Sequence, residues 1–159
     1  MGVQSSFGFT LGRMEKGKLN KITDVPGVRV GHVTRHEGDI NTGVTAILPH
    51  TGDMFHDKCP AASHVINGFG KSIGLVQVNE LGTIETPLLL TNTLSVGTAA
   101  TALVKYMLER NADIGCDTGT VNPMVFECND GHLNDIRGLH VTEQNALDAI
   151  ANAADDFEE

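Results

Sequence analysis

The sequence has few aromatic residues and no cluster of basic ones. It contains no Trp, one Tyr and six Phe, and 20 Asp and Glu residues outnumber 11 Lys and Arg, for a formal net charge of −9. Proteins that bind nucleic acids need a positively charged surface, so we expect no nucleic-acid partner. No apolar run approaches the length of a membrane span, so we expect no membrane partner either.

Cysteine is also scarce. Cys59, Cys116 and Cys128 are irregularly spaced, which argues against a disulfide framework and favours a reducing cytoplasm. The N-terminus lacks the charged and then apolar pattern of a signal peptide. His56-x-x-Cys59 and Cys128-x-x-x-His132 could supply zinc ligands, but structural zinc usually needs closer cysteine pairs. We therefore predict a cytoplasmic protein without a metal or other cofactor.

The most informative stretch runs from Val121 to Gly138 and reads VNPMVFECNDGHLNDIRG. Met124–Cys128 is apolar enough for a short buried strand, which Asn129-Asp130-Gly131 would end in a tight turn. A strand holds the polar side chains at its end in place, so they are well positioned to contact a ligand. The alternative is a solvated turn whose Asn and Asp side chains bond their own backbone.

Four other segments have the composition of β-strands. One follows the turn at 24–27, and a second covers Thr42–Leu48, with a charged loop predicted over Arg35–Asn41 between them. Leu75–Glu80 alternates apolar and polar residues, as a half-buried strand does. Glu85–Thr91 is almost wholly apolar in its second half and is predicted to be buried on both faces.

Two segments have the spacing of amphipathic helices. Ser95 is predicted to cap the first helix, which Asn111 could end in the left-handed conformation. Thr142 is predicted to cap the second, with Val141 packing on Ala146. Strands come early, helices come late, and neighbouring strands are close enough for hairpins. The predicted fold class is therefore a layered α+β arrangement rather than a run of parallel βαβ units.

Two further motifs could carry chemistry. Gly70-Lys71-Ser72-Ile73-Gly74 matches the G-x-S-x-G of hydrolase elbows, in which serine lies between a strand and a helix, but the residues after it are strand-like. Thr91–Gly97 places hydroxyls and a carboxamide where a buried strand becomes a helix. The free N–H groups of that helix start suit a carboxylate or an oxyanion, and simple capping is the alternative. We predict that Asn92 and Thr93 bind substrate there.

Several long segments in the same order resemble one enzyme family. From about Ile22 to Asn152 the chain contains ITDVPGVRVGHVT, TGVTAILPH, HVINGFGK, NELGTIETPLLLTNTLSVG, TVNP and ECNDGHLNDIRGLHV. These are similar to segments of the self-processing L-aminopeptidase/D-Ala-esterase/amidase family, which includes β-peptidyl aminopeptidases and a nylon-oligomer hydrolase. The resemblance covers the α-chain part only, because the family's nucleophile follows a Gly-rich segment beyond the last helix predicted here.

The resemblance implies an α/β/β/α sandwich like that of N-terminal-nucleophile hydrolases, here incomplete at the C-terminal side. Residues 1–21 would be an N-terminal arm, and residues 22–159 the α-chain part of a single domain. The family's precursor cuts itself, and the new N-terminal Ser or Thr of the β chain is the nucleophile, with its own amine as base. Exposed sheet surface would favour a homo-oligomer.

The implied function is that of the α-chain portion of an aminopeptidase or amidase. Such an enzyme releases N-terminal residues from peptides, amides or esters by acyl transfer, and its nucleophile would come from a β-chain partner. The alternative is a non-catalytic remnant of the fold that binds a small molecule or serves in assembly.

The resemblance also implies site residues. The asparagine of the L-N-D motif is Asn134, which we predict to donate to the oxyanion, with Asn129 as the fallback. Glu80 is predicted to bind the free amine of the substrate. The family's α-chain tyrosine is expected near Asn79–Gly82 but is missing there, and the only tyrosine is Tyr106 on a predicted helix.

Overall fold

The computed structural model describes residues 12–157, which are organised around a four-stranded sheet in the order β1-β2-β5-β6. The strands are β1 (Arg29–Glu37), β2 (Ile40–Leu48), β3 (Cys59–Pro60), β4 (Thr83–Ile84), β5 (Leu88–Asn92) and β6 (Met124–Cys128). Strands β1, β2 and β5 are antiparallel neighbours, whereas β5 and β6 are parallel. The short strands β3 and β4 pair separately.

Two of the three α-helices in residues 12–157 cover one face of this sheet. The helices are α1 (Leu75–Leu81), α2 (Val96–Arg110) and α3 (Glu143–Ala151). Residues of α2 and α3 form one buried cluster with alternate strand residues, among them Val44, Ala46, Leu89 and Val125, because side chains alternate between the two faces of a strand. A Cβ on Gly31 of β1 would lie 2.2 Å from the carbonyl oxygen of Ala149, so only glycine lets α3 lie this close.

The other face of the sheet is only partly covered. A second buried cluster joins Met54, Val78 of α1, Ile84 of β4 and Met124 of β6, and it covers the face near the start of β6. Leu90, in β5 on the same face as Met124, remains 38% exposed. The described residues therefore form a helix layer on a sheet whose second face is open near the ends of β5 and β6.

Several predictions from the sequence are confirmed. The layered α+β class is confirmed, and so are the strands at Thr42–Leu48 and Met124–Cys128. The turn at 129–131 follows the end of β6. Thr142 caps α3 by accepting a hydrogen bond from the Asn145 N–H, and the Asn145 side chain accepts in return from the Thr142 N–H.

The predicted loop at Arg35–Asn41 is wrong. Strand β1 continues to Glu37 and β2 begins at Ile40, so the connection is a two-residue hairpin at Gly38-Asp39. Gly38 has a φ of +59°, which glycine adopts without steric cost in hairpin turns. The described sheet contains a single parallel pair, because β5, α2 and β6 form one crossover, and its other neighbours are antiparallel, as the layered α+β class predicts.

The predicted strand at Leu75–Glu80 is wrong too, because these residues form α1. Gly74 and Gly82 flank the helix in left-handed conformations, with φ values of +98° and +66°. Gln77 and Val78, which are adjacent, are both buried, while Val76 is 79% exposed. Apolar and polar residues that alternate over six positions resemble a strand, but the packing of Val78 on Met124 favours the helix.

Two predicted caps differ from the structure. The Ser95 side chain makes no capping bond, and instead Asn92 accepts from the Ser95 N–H, one 3-10 turn before α2 begins. Asn111 ends α2 in an extended conformation, with a φ of −129°, rather than the left-handed one. Its buried side chain donates to the carbonyl oxygen of Met107, so a side-chain bond caps the helix end instead of the expected left-handed turn.

The predicted arm over residues 1–21 falls partly outside the described residues. Residues 12–21 contain no helix or strand. The Leu19 N–H donates to Oδ1 of Asp24 at 2.8 Å, and Lys21 pairs with Asp156 at 3.2 Å. The end of the arm is thereby tied to the C-terminal segment. Within residues 12–157, no helix combines the length and apolar character needed to cross a membrane.

Candidate active site

Polar side chains gather where β5 and β6 end. We call this side of the sheet the carboxyl edge, and the side where β5 and β6 begin the amino edge. Because β5 and β6 are parallel, Asn92 and Cys128 lie next to each other at the carboxyl edge. The antiparallel strand β2 begins there, which adds Asn41 and Thr42. Strand direction therefore brings together residues from three separate parts of the sequence.

Asn92 fixes the turn from β5 into α2. Its side chain is buried; Oδ1 accepts from the Ser95 N–H at 3.0 Å, and Nδ2 donates to Oγ1 of Thr42 at 2.8 Å. Both ends of the carboxamide are thus engaged within the protein. The predicted substrate-binding role of Asn92 stays a prediction, and its visible role is to hold this edge together.

Thr93 and Glu127 form a hydrogen-bonded pair at the same edge. The Thr93 hydroxyl donates to Oε2 of Glu127. Glu127 is half-buried and forms no ion pair with any residue among 12–157. A carboxylate in this position can accept an ammonium group from a ligand. Our reading of the sequence missed Glu127, although an acidic residue inside the apolar run MVFEC was a usable signal.

Asn134 is buried and oriented by its neighbours. Its Oδ1 accepts from the Asn41 N–H at 3.0 Å, and its own N–H donates to the carbonyl oxygen of Asp130. Since a backbone N–H can only donate, this bond assigns the amide oxygen and directs Nδ2 elsewhere. No partner for Nδ2 exists among residues 12–157. The geometry leaves a fixed amide donor available at the carboxyl edge.

The loop that carries Asn134 is fastened to the β1–β2 hairpin. Nδ2 of Asn41 donates to the carbonyl oxygen of Leu133 at 2.8 Å, and the Asp135 N–H donates to that of Asp39 at 2.8 Å. A hydrogen bond between Asp135 and His140 lowers the pKa of the Asp135 carboxyl below its usual value, so that group stays ionised at neutral pH. The position of Asn134 therefore depends on long-range contacts with the hairpin.

Asn129 is exposed and bonds locally. Its Oδ1 accepts from the N–H of Gly131 at 2.9 Å, which is the solvated-turn alternative that the sequence left open. This engagement leaves Asn134 as the better-positioned donor of the two.

A groove of about 370 Å³ lies on the open face of the sheet beside these residues. His32, Thr45 and Leu90 line its floor, and Asn92 and Asp130 its end. Nδ1 of His32 lies 2.8 Å from Oγ1 of Thr45. Nε2 of His32 and Oδ1 of Asp130 are buried without a hydrogen-bond partner among residues 12–157. Buried polar atoms without partners are costly, so the groove is suited to a polar ligand or segment.

Other residues singled out in the sequence lie elsewhere. Glu80 is exposed in the last turn of α1 and does not line the groove. The residues after Ser72 form α1 rather than the expected strand, but residues 61–72 contain no strand, so Ser72 does not lie between a strand and a helix as the elbow requires. Tyr106 lies near the C-terminal end of α2, towards the amino edge, and cannot supply a second donor beside Asn134.

The cysteines and histidines considered for zinc are not brought together. Cys59 lies in β3, with the cluster near the amino edge, and Cys128 lies at the carboxyl edge. Among residues 12–157, no group of three or more His, Cys, Asp or Glu is arranged to hold a metal ion.

Comparisons with known proteins identify the family of this chain. The family model described as Peptidase family S58 matches residues 20–159. "Beta-peptidyl aminopeptidase BapA" of Sphingosinicella microcystinivorans is 39% identical over an alignment of 147 residues that covers 87% of this chain and 36% of that protein.

Solved structures superpose closely on the chain. The PH0078 protein from Pyrococcus horikoshii OT3 is 53% identical with a TM-score of 0.94, over 98% of this chain and 47% of its own. The second structure is the L-aminopeptidase D-Ala-esterase/amidase from Ochrobactrum anthropi, described as a new variant among the Ntn hydrolase fold. It is 34% identical with a TM-score of 0.82, and the match covers 94% of this chain and 44% of its own. The predicted N-terminal-nucleophile-hydrolase type of fold is confirmed. This chain spans less than half the length of these relatives.

Proposed function

Because the chain belongs to peptidase family S58, we propose that it supplies the oxyanion-binding part of an aminopeptidase or amidase active site. The enzyme releases N-terminal residues from peptides, amides or esters by acyl transfer. Its nucleophile is the N-terminal Ser or Thr of a β chain, produced when a precursor cuts itself. The single observation that carries the proposal is the orientation of Asn134.

Asn134 meets the requirements of an oxyanion donor. Its amide oxygen is held by the Asn41 N–H, so the amide cannot rotate without losing that bond. Its Nδ2 hydrogens have no partner among residues 12–157, and its side chain is buried. A donor that is already oriented needs no reorganisation when negative charge develops, which is why such groups lower reaction barriers strongly.

The reaction divides the work between the two chains. The β-chain hydroxyl attacks the substrate carbonyl and passes its proton to the β-chain amine, while the carbonyl oxygen takes the negative charge and accepts from Nδ2 of Asn134. The tetrahedral intermediate collapses to an acyl-enzyme and releases the leaving amine with that proton. Water then attacks the acyl group by the same route and regenerates the hydroxyl.

Glu127 is proposed as the group that receives the free amine of the substrate. Its half-buried carboxylate lies at the same edge as Asn134 and has no ion-pair partner among residues 12–157. An N-terminal ammonium held there would place the first residue of the substrate at the carboxyl edge, which explains a preference for N-terminal residues. Glu80 was predicted for this contact, and an exposed position in α1 supports it less well.

Three hydroxyl groups among residues 12–157 lack the surroundings that activate a nucleophile. The Ser63 hydroxyl donates to Asn79, and Ser95 is buried beneath the start of α2. Thr45 has an imidazole partner in His32, but Thr45 lies in the middle of β2, and Nε2 of His32 has no orienting carboxylate among residues 12–157. This supports a nucleophile supplied by the partner chain.

The exposed apolar residues support a partner surface. Leu90 on the open sheet face, and Ile66 and Phe69 before α1, are 38%, 94% and 77% exposed. Apolar groups of this size are usually covered by a partner. We propose that the β chain covers the sheet face and that the complete enzyme is a cytoplasmic homo-oligomer.

The proposal is tested by hydrolysis of amino-acid p-nitroanilides. The 159-residue chain is assayed alone and with a separately produced β chain, and we expect turnover only when both are present. Ser72→Ala serves as the control in the two-chain assay and should leave turnover within a few-fold, and both Ser72→Ala and Thr45→Val are tested in the chain alone. Turnover by the chain alone that either substitution abolishes would assign the nucleophile to this chain. A folded complex without turnover would favour the non-catalytic alternative.

A further inference from the structure

A second cavity lies at the amino edge, at the opposite end of the sheet from the candidate active site. It has a volume of about 330 Å³ and lies between the end of the sheet and the C-terminal part of α2. Its walls include Arg29, Leu48, Met54, Tyr106, Met107 and Arg110, which together we call the basic pocket. Small-molecule sites in proteins have volumes of roughly 300 to 1,000 Å³, so the basic pocket can hold a compact ligand.

The two arginines of the basic pocket have no acidic partner. Neither Arg29 nor Arg110 forms an ion pair with another residue among 12–157. Nε of Arg29 is buried and has no hydrogen-bond partner in that range. In a chain with 20 acidic residues and 11 basic ones, two arginines that line one cavity without an ion pair to any described residue are an unusual arrangement. A buried N–H donor without an acceptor is unfavourable, and an anion would supply one.

Arg110 is held in place by stacking. Its guanidinium carbon lies 3.6 Å from the centre of the Tyr106 ring, and one of its terminal nitrogens donates to the Tyr106 carbonyl oxygen at 3.3 Å. A guanidinium that lies flat on an aromatic ring loses little freedom when its edge binds a carboxylate. The remaining N–H groups of Arg110 are therefore oriented for an anion.

The other titratable groups of the wall do not cancel this charge. Asp53 is engaged, because it accepts from the Phe55 N–H and from His56. Nδ1 of His50 accepts from the Gly52 N–H, so its Nε2 carries the proton and donates to the carbonyl oxygen of Asp57. Two arginines against the one carboxylate of Asp53 leave the wall with a net positive charge.

Apolar side chains form the rest of the pocket. Leu48, Met54 and Met107 are each less than 7% exposed in the folded chain. A bare inorganic anion would leave these groups facing empty space or water, whereas an apolar tail would contact them. The pocket therefore matches a molecule with one anionic head and one short apolar tail.

We propose that the basic pocket is a second ligand site that binds an organic carboxylate with a short apolar tail. Arg29 and Arg110 hold the carboxylate by charge-assisted hydrogen bonds, and Leu48, Met54 and Met107 receive the tail. The site is separate from the candidate active site at the carboxyl edge, because the length of α2 divides the two edges. The proposal does not depend on the proposed function, since binding is measured without turnover.

The test uses the native protein that contains this chain and three probes: 3-phenylpropanoate, the neutral 3-phenylpropanamide and inorganic phosphate. Titration calorimetry should show binding of the carboxylate and at least tenfold weaker binding of the amide and of phosphate. Arg29→Gln and Arg110→Gln should each weaken carboxylate binding by about tenfold or more, as loss of a charge-assisted bond does. Arg35→Gln, an arginine paired with Glu37, is the matched control and should bind as the parent does.

Three outcomes would overturn the proposal. Equal affinity for the amide would remove the role of the arginines, and equal affinity for phosphate would show a bare anion site without a tail contact. Absence of carboxylate binding in the folded native protein would show that the pocket is not a carboxylate site. Arg110 is exposed on α2, so Arg110→Gln keeps the test informative if Arg29→Gln fails to fold. Unchanged binding in Asn134→Asp would place the site away from the candidate active site.

Discussion

The two edges of the sheet are built from different chemistry. The carboxyl edge is held by amides and hydroxyls, as in the contacts of Asn92 with Thr42 and of Asn134 with Asn41. The amino edge is held by charges: Lys58 with Glu85, and His56 with two aspartates. Neutral amides keep their donors at every pH and present them to a developing negative charge, whereas ion pairs hold loops together and respond to pH. We therefore propose that the amides of the carboxyl edge serve chemistry and that the ion pairs of the amino edge serve stability, and four substitutions can challenge this.

The largest expected effect is on activity at the carboxyl edge. Asn134→Asp keeps the oxygen that accepts from the Asn41 N–H but replaces the Nδ2 donor with a second carboxylate oxygen. Removing one oxyanion donor costs about 10²- to 10³-fold in rate, and the added negative charge opposes the transition state further. We expect kcat/KM of the two-chain enzyme to fall by at least about 10²-fold, with kcat carrying most of the loss.

Asn129→Asp is the matched control, since Oδ1 of Asn129 only accepts from the Gly131 N–H. It should leave kcat/KM within a few-fold of the parent. If the control lost activity and Asn134→Asp kept it, Asn129 would be the donor and the proposal for Asn134 would be wrong.

The next effect concerns stability at the amino edge. Glu85 is 4% exposed, pairs with Lys58 and accepts from the Asn122 N–H at 2.8 Å. Burial raises the pKa of Glu85, but the hydrogen bonds from Lys58 and Asn122 outweigh it and lower the pKa below its ordinary value. Lys58→Met leaves a buried charge with fewer partners, so the free energy of unfolding should fall by about 2–3 kcal/mol, as measured by urea unfolding.

The pH dependence of that loss has a defined sign. A carboxyl with a lowered folded pKa contributes stability above its unfolded pKa and loses it as pH falls through the folded value. The difference in the free energy of unfolding between Lys58→Met and the parent should therefore shrink as the solution is acidified.

Lys105→Met is the control, because it removes an exposed pair with Glu143, and it should cost no more than about 1 kcal/mol. A larger loss than that of Lys58→Met would contradict the prediction that the buried pair matters more.

A smaller effect is expected where His56 joins two loops at the amino edge. Its Nδ1 lies 2.7 Å from Asp53 and its Nε2 2.9 Å from Asp113. Hydrogen bonds to Asp53 and then Asp113 raise the pKa of His56 above its ordinary value. The stabilisation is fully present below the unfolded pKa and is lost as pH rises through the raised folded pKa.

We therefore expect the difference in Tm between the parent and His56→Gln to be largest near about pH 5 and to shrink towards about pH 9. His64→Gln, at an exposed histidine, is the control and should show no such trend. A difference that grew with pH would mean that His56 binds in its neutral form.

The smallest effect concerns backbone strain near the carboxyl edge. Leu139 has a φ of +52° and is 58% exposed, and a side chain with a Cβ is unfavourable in the left-handed region. Leu139→Gly should stabilise the fold by up to about 1 kcal/mol, read as a rise in Tm. Leu133→Gly is the control, because Leu133 is an exposed leucine outside the left-handed region, and it should lower Tm slightly. If Leu139→Gly also lowered Tm, the Leu139 side chain would make a contact that stabilises the fold by more than the backbone strain costs.

Local sequence signals were sufficient where a residue acts on its own neighbours. The turn after Cys128 and the cap at Thr142 were predictable because Asn, Asp and Thr bond backbone groups two or three residues away. Leu75–Glu80 was not predictable in this way, since six alternating residues fit a strand and a helix equally well until Val78 packs on Met124. Glu127 was missed because its partner, Thr93, is 34 residues away.

The sequence by itself determined the family, the strand that ends at Cys128 and the asparagine of the L-N-D motif, because each is written in consecutive residues. Only the tertiary structure decided which way that asparagine points, since the Asn41 N–H that orients it belongs to a hairpin 93 residues away. The same holds for the basic pocket, whose arginines come from the start of β1 and the end of α2. Side-chain chemistry is local, but the direction of a donor and the charge of a cavity are set by which distant segments the fold brings together.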